Sequence, residues 1–285
     1  MADVSAADVK RLREKTGAGM MECKNALVST EGDFAKAEKL LKEKGLAALE
    51  KRADRATNEG KVFVQIKDDG AKAVLVELAS ETDFVARNPD FIALGGEIAA
   101  KALEKGHDGP HEELAGMVTD LATKIRENMS LKRLKTVSAG AGEYLVQYIH
   151  GDGKIGVVVK CSCDKPEIFN NEDVKAFIFS LALHIAAFNP YALDKSKIEA
   201  AYITEQEDIF RKQMEKDEKL QGKPQNVLDG ILKGKVNKHL SEICLLEQGY
   251  VKDEKLTVAQ AVADAAKKAG ANLAIADYAY YRVGA

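Results

Sequence analysis

The 285-residue sequence has no tryptophan, only five prolines and only four cysteines, and aromatic residues make up just 6% of it. Each scarcity excludes something. Four cysteines in a chain of this length are too few for a disulfide framework. They include no C-x-x-C pair, and the five histidines form no H-E-x-x-H and stand at no ligand spacing from Cys161 and Cys163, so no metal site is expected. Long hydrophobic runs are missing too. No stretch reaches the roughly 18 apolar residues of a membrane-spanning helix, and the most apolar one, 176–188, is short, contains His184 and reads as a buried core helix. An excess of one charge is also lacking: 42 basic against 45 acidic residues leave a net charge of −3, without the basic surplus of a dedicated nucleic-acid binder. Residues 1–5 show neither a basic region with an apolar leader nor an Arg-rich transit pattern, so a cytoplasmic protein is the direct reading. The glycine-rich run Gly151–Gly156 has neither the length nor the Lys-Ser/Thr of a phosphate-cradling loop. It lies between two strand patterns, where Asp-Gly marks a hairpin turn. With no nucleophile–base pair, metal cluster or cofactor loop to defend, a non-enzymatic protein without cofactor is expected.

What is present is a chain with 46% hydrophobic and 31% charged residues, enough for one large or two to three small domains with a well-solvated surface. Residues 1–50 read as three short helices. Ser5 caps the first, with Asp8 three residues on; Gly17 and Gly19 end it; the second runs over 20–28; Asp33 caps the third, which stops at Gly45. Gly32-Asp33 followed by an Ala/Leu helix resembles the three-helix ubiquitin-associated domain. Residues 51–60 form a linker whose charges are a solvated face.

An internal repeat follows. Lys61–Ile66, the turn Asp68–Gly70 and Val74–Leu78 form a hairpin, and Phe91, Leu94, Ile98 and Ala102 stand at helical spacing after it. The plan returns with Tyr144–Ile149, the turn Gly151–Gly153, Val157–Cys161 and a helix carrying Val174, Phe177, Ile178, Leu181, Ile185 and Phe188. Gln65 matches Gln147. The spacing therefore predicts an α+β fold: two repeated halves of antiparallel hairpin plus helix, 61–140 and 141–194 with 244–285. Between the hairpin units a helix is predicted over 110–129, with Lys132, Arg133 and Lys135 as its charged end or as phosphate ligands. Residues 195–243 break the repeat. Ile203, Phe210 and Met214, then Leu228, Leu232, Val236 and Leu240, mark an inserted helical hairpin that either packs on its parent or pairs with a copy of itself. After it, 243–246 reads as a strand, Thr257 with Gln260 as a capping box, and 273–283 as a final strand.

The stretch with most to say is 74–89. Val74–Val76 are strand residues, Asn88 and Pro89 are a helix N-cap and first position, and Thr82–Arg87 between them is predicted to be a short loop. A loop between two rigid elements presents binding groups well. Phe84 beside Asp83 either tucks back as local core or is pushed into a partner. Met20 and Met21, after a Gly-Ala-Gly turn, pose the same choice. His150 is expected on the surface at a strand end.

Two segments carry a family resemblance. Glu-Leu-Ala-Ser-Glu-Thr-Asp-Phe-Val-Ala-Arg at 77–87 resembles the signature of the elongation factor Ts family, and Leu-Arg-Glu-Lys-Thr-Gly-Ala-Gly-Met-Met-Glu-Cys-Lys-Asn-Ala-Leu at 12–27 resembles the family's other signature. The likeness extends over nearly the whole chain and fades at the C-terminus. Many relatives continue there into a further helix that grips the partner, and that contact is expected to be absent. The resemblance implies a guanine-nucleotide exchange factor that binds elongation factor Tu in its GDP form. It implies that Thr82, Asp83, Phe84 and Val85 disturb the partner's Mg²⁺ and phosphate site, and that Arg13, Met20, Met21, Lys24, Met129 and His150 hold the partner. It further implies that 195–243 is a projecting module for self-association, which would make a homodimer, while the charge balance and the lack of a spanning run point to no direct nucleic-acid or membrane partner. Two other readings stand beside it: an adaptor that binds ubiquitin-like proteins through the N-terminal helices, and a redox pair at Cys161 and Cys163, which are poorly placed to bridge if they share a strand.

Overall fold

A computed structural model describes residues 4–285; residues 1–3, where the N-terminal domain was expected to begin, lie outside the described residues. The chain divides into two compact units. The first takes the chain through Ser138 together with Ile149–Gly156 and Tyr281–Ala285, and the second takes Ala139–Tyr148 and Val157–Tyr280.

The first unit begins with α1 (Ala6–Thr16), α2 (Met20–Ser29) and α3 (Phe34–Glu50). Ser5 and Asp33 accept backbone N–H groups of the first turns of α1 and α3, as their positions suggest. Gly17 closes α1 in the left-handed conformation at φ 68°. Val9, Leu12, Cys23, Ala26, Leu27, Ala37 and Leu41 form the small core. The third helix does not stop at Gly45 but runs on to Glu50. A mid-helix glycine costs only about 1 kcal/mol, and the glycine here is needed for packing, as described below.

Strands β1 (Glu59–Ile66) and β2 (Lys72–Ser80) follow, then α4 (Asp83–Ala86), α5 (Pro89–Lys105), α6 (Glu112–Ile125) and β3 (Met129–Ser138). The order is β1-β2-β3, both pairs antiparallel. Central β2 is buried from Ala73 to Ser80, so both its faces are apolar except at the buried Glu77 and Ser80. Helix α5 packs on β1 and β2, and α6 on β3, with Phe91, Leu94, Ile98, Leu114 and Val118 in the shared core. Two expectations are corrected here. The helix expected to reach 129 ends at Ile125, where Arg126 turns left-handed at φ 69°. Lys132, Arg133 and Lys135 are then strand residues, not a helix end. The reason is a distant partner: Arg133 Nε donates to the buried Glu77 carboxylate of β2 at 2.6 Å, and its guanidinium lies 4.4 Å from the centre of the Tyr281 ring.

Strands β4 (Glu143–His150), β5 (Ile155–Cys163) and the last strand make a second sheet of three, most of it in the second unit. Between them in sequence come α7 (Glu172–Phe188), α8 (Ala200–Glu215), α9 (Gln225–Ile243), a short hairpin of β6 (Gly249–Tyr250) and β7 (Asp253–Thr257), and α10 (Val258–Ala269); β8 (Leu273–Arg282) closes the sheet beside β5. Each half is thus a three-stranded sheet in an α+β fold, where two-stranded hairpins were expected. The strand expected at 243–246 is instead the end of α9 and a single 3₁₀ turn at Leu245–Glu247. The Thr257–Gln260 capping box is present. Helix α7 is the core helix its composition suggested, with Ile178, Leu181, His184 and Ile185 fully buried. The α8–α9 hairpin buries its stripes against each other, through Ile198, Val236 and Leu240 with Tyr202, Phe210 and Leu232.

Candidate functional site

Strand β2 ends at fully buried Ser80, whose hydroxyl donates to the Thr82 carbonyl at 2.9 Å. The segment after it is not an open loop but a single helical turn. Thr82 caps that turn, accepting Val85 N–H at 3.3 Å while its hydroxyl donates to Glu127 at 3.0 Å. Val85 and Ala86 are buried in the core of the first unit, and Asn88 caps α5 immediately afterwards. The turn is therefore held at both ends and from beneath. What it holds outward is Phe84, with 81% of its surface exposed, and Asp83, paired with Arg87 at 3.1 Å. Leaving such a ring in water forgoes about 1.5–3 kcal/mol of burial. Of the two possibilities for Phe84, local core is the one the structure rejects.

Glu81, just before the turn, accepts the Asn128 N–H at 2.6 Å and an Arg55 guanidinium N–H at 3.0 Å. Burial opposes ionisation of Glu81, but these two donors outweigh it and hold its carboxyl below the usual range. Beneath the turn the backbone is thus tied by charged hydrogen bonds that persist at neutral pH.

Met20 and Met21 start α2 and are both exposed, at 48% and 64%; Lys24 lies one turn on and Arg13 stands in the last turn of α1, both exposed as well. The segment Gly17–Gly19 joins the end of α1 to the start of α2, so these four residues lie on either side of one short turn. His150 is exposed at the end of β4. The turn after it, Gly151-Asp152-Gly153, is left-handed throughout, at φ 61°, 54° and 87°. It is fastened to β1, where buried Lys61 donates to the Asp152 carbonyl at 2.8 Å and pairs with its carboxylate at 2.7 Å. Met129 is different: it is buried in the core at the start of β3, so its side chain is not on the surface. Val85 is likewise an anchor beneath the turn. Sequence reasoning missed Lys61, Glu127 and Asn128, whose partners lie tens of residues away and leave no local signal.

Among the described residues, His107, His111 and Glu113 bring three metal-ligating groups together. Glu113, however, lies 2.9 Å from the Lys101 ammonium and 2.6 Å from that of Lys105, which pull its pKa down to about 2. With two ammonium groups beside its one carboxylate, the cluster lacks the negative charge that draws a divalent cation. All four cysteines are free and buried, and burial pushes the Cys161 thiol up to about 12, which removes the thiolate a redox pair needs. Among the described residues no helix is long and apolar enough to cross a membrane.

The turn is a rigid segment that presents an aromatic ring beside a carboxylate, the arrangement on which binding groups are commonly carried. The sequence signature of the family described as Elongation factor TS matches residues 81–285. The chain is 52% identical to the elongation factor Ts of Treponema denticola, 45% to that of Treponema pallidum and 41% to that of Borrelia recurrentis, in each case over 99% of both chains. The chain belongs to the elongation factor Ts family, the nucleotide-exchange factors of elongation factor Tu in translation elongation.

Proposed function

We propose that this chain binds elongation factor Tu in its GDP form and releases GDP by driving the Asp83–Phe84 turn against the partner's Mg²⁺ and phosphate site. The observation that carries this reading is the exposed Phe84 on a turn capped by Thr82 and anchored by Val85 and Ala86. A ring held this firmly can displace partner side chains that order the metal, and the Asp83 carboxylate beside it repels phosphate or competes for the cation. Residues 1–50, through Arg13, Met20, Met21 and Lys24, grip one part of the partner, and the His150 turn grips another. Residues 195–243 form a module through which two copies of the chain associate, and the protein works in the cytoplasm without a cofactor of its own. Exchange follows from reciprocity: factor and GDP favour different conformations of the partner, so each weakens the other by the same factor, about tenfold for every ~1.4 kcal/mol of coupling.

Stopped-flow release of a fluorescent GDP from elongation factor Tu tests this. Phe84→Ala and Asp83→Ala should lower the release rate at saturating factor far more than they weaken the complex with nucleotide-free partner. If the metal is the target, most of the Phe84→Ala defect should disappear once EDTA has removed Mg²⁺. An equal defect in EDTA would exclude the metal route.

A further inference from the structure

Three consecutive residues after α6 hold three separate parts of the first unit. Arg126 pairs with Glu22 of α2. Glu127 accepts the hydroxyl of Thr82. Asn128 donates its N–H to Glu81 and its side-chain amide to the carbonyls of Ala53 and Arg55, at 3.2 and 2.9 Å. The N-terminal helices and the Asp83–Phe84 turn are therefore fastened to the same short piece of backbone. Around it the fit is steric. At Gly45 of α3 an added Cβ would lie 2.3 Å from Thr123 Cγ2, and at Gly17 one would lie 2.5 Å from the Lys124 carbonyl oxygen. Two glycines on different elements thus let α6 come close. A second ion pair, Lys42 with Asp120 at 2.8 Å, spans the same seam. Half-exposed pairs such as Glu22–Arg126 contribute at most about 1 kcal/mol, so the glycine fit decides whether the seat is tight.

We infer that Arg126, Glu127 and Asn128, with Gly17 and Gly45, are positioning residues for exchange: they seat helices α1–α3 at a fixed offset from Phe84. This rests on the reading that Met20, Met21 and Phe84 touch one partner. A seated module meets that partner already aligned, and the ordering cost of binding falls accordingly. A module on a free tether would instead contribute through effective concentration alone.

The test is a size-compensated pair. Gly45→Ala puts a methyl into Thr123, while it raises the helix propensity of α3, so any loosening arises at the seam and not within the helix. Adding Thr123→Ser removes the obstructing Cγ2 and keeps the hydroxyl that donates to the Thr119 carbonyl. Spin labels at Val28→Cys and Ile92→Cys, both exposed positions, report the offset in the full chain. The distance distribution should be narrow with Gly45, broad or shifted with Gly45→Ala, and narrow again in the double variant. In parallel, the factor concentration that half-saturates GDP release should rise about tenfold in Gly45→Ala, with the saturated rate within twofold, and should return in the double variant. A broad distribution in the parent chain, or one that Gly45→Ala leaves unchanged, overturns the seat. A moved distribution with unchanged half-saturation overturns the positioning role. A parent chain with a narrow distribution that accelerates no GDP release overturns the function proposed above, and the positioning role with it, while the seat itself stands.

Discussion

Gly95 of α5 lies against the ring of Phe63 on β1 so closely that a Cβ at position 95 would be 2.1 Å from ring carbons Cε2 and Cζ. The ring cannot retreat freely, because Phe63 packs against the core and sits 6.3 Å from the Phe91 ring. Gly96, the next residue, has nothing within 4 Å of such an atom. Neighbouring glycines should therefore respond with opposite sign. Gly95→Ala overpacks the sheet–helix contact, at a cost of about 1–3 kcal/mol, against which stands the roughly 1 kcal/mol of helix propensity it gains. Gly96→Ala gains the propensity alone and should stabilise by about 0.5–1 kcal/mol. Urea unfolding of both variants checks this, and stabilisation by both would show that the ring yields without cost.

Phe84 and Val85 form a second contrasting pair of neighbours. Val85→Ala removes two buried methyl groups at about 0.8 kcal/mol each, with a cavity contribution in addition, and should lower the stability of the free protein by roughly 2 kcal/mol. Phe84→Ala should change it by less than about 0.5 kcal/mol, as a surface substitution does, while it depresses GDP release. Thermal unfolding and stopped-flow release on the same two variants separate anchor from effector. A large stability loss in Phe84→Ala would mean that the ring is packed in solution.

What could be read from the sequence and what could not divides along physical lines. The caps at Ser5, Asp33, Asn88 and Thr257 satisfy backbone groups two or three residues away, so residue type and spacing disclose them. Strand β3 was hidden because Arg133 gains its place from Glu77, 56 residues earlier, and a charge read without its partner looks like a solvated helix end. The Asp83–Phe84 turn was legible as a presented segment, but its helical form depends on where Val85 and Ala86 pack. The Arg126–Asn128 hub left no trace at all, since each of its contacts closes a long loop of sequence.

The α8–α9 hairpin buries most of its apolar stripe internally, and Ile209 and Val227 remain as exposed hydrophobic residues on it. If copies of this chain associate through it, deletion of 196–237 with a short glycine bridge should yield a folded monomer, because the hairpin residues cluster mainly with one another and none of them belongs to the core of the first sheet. Sedimentation velocity at high concentration reads this directly. An unchanged oligomer in the deletion variant, or a monomeric parent chain, removes self-association from the hairpin.

His184 supplies a pH dependence whose sign can be worked out. It is fully buried in α7. Its Nδ1 accepts the Val251 N–H at 3.2 Å, which leaves Nε2 to carry the proton and donate to Gln248 Oε1 at 3.0 Å. The Phe188 ring stacks on it at 4.6 Å. Burial favours the neutral ring and lowers its pKa from 6.5, and the Gln248 hydrogen bond opposes this only in part. Because the folded pKa lies below the unfolded one, the unfolded state binds more protons between the two, and stability rises with pH across that window. The contribution is fully present above about pH 6.5 and is lost as pH falls through the folded value. Unfolding free energies of the parent chain and of His184→Gln, measured at steps from pH 7.5 to 5, should show a steeper decline for the parent. The carboxylates titrate alike in both chains, so the difference in slope isolates the histidine. Parallel curves would show that the ring takes up a proton in the folded protein as readily as in water, which the Val251 N–H directed at Nδ1 forbids.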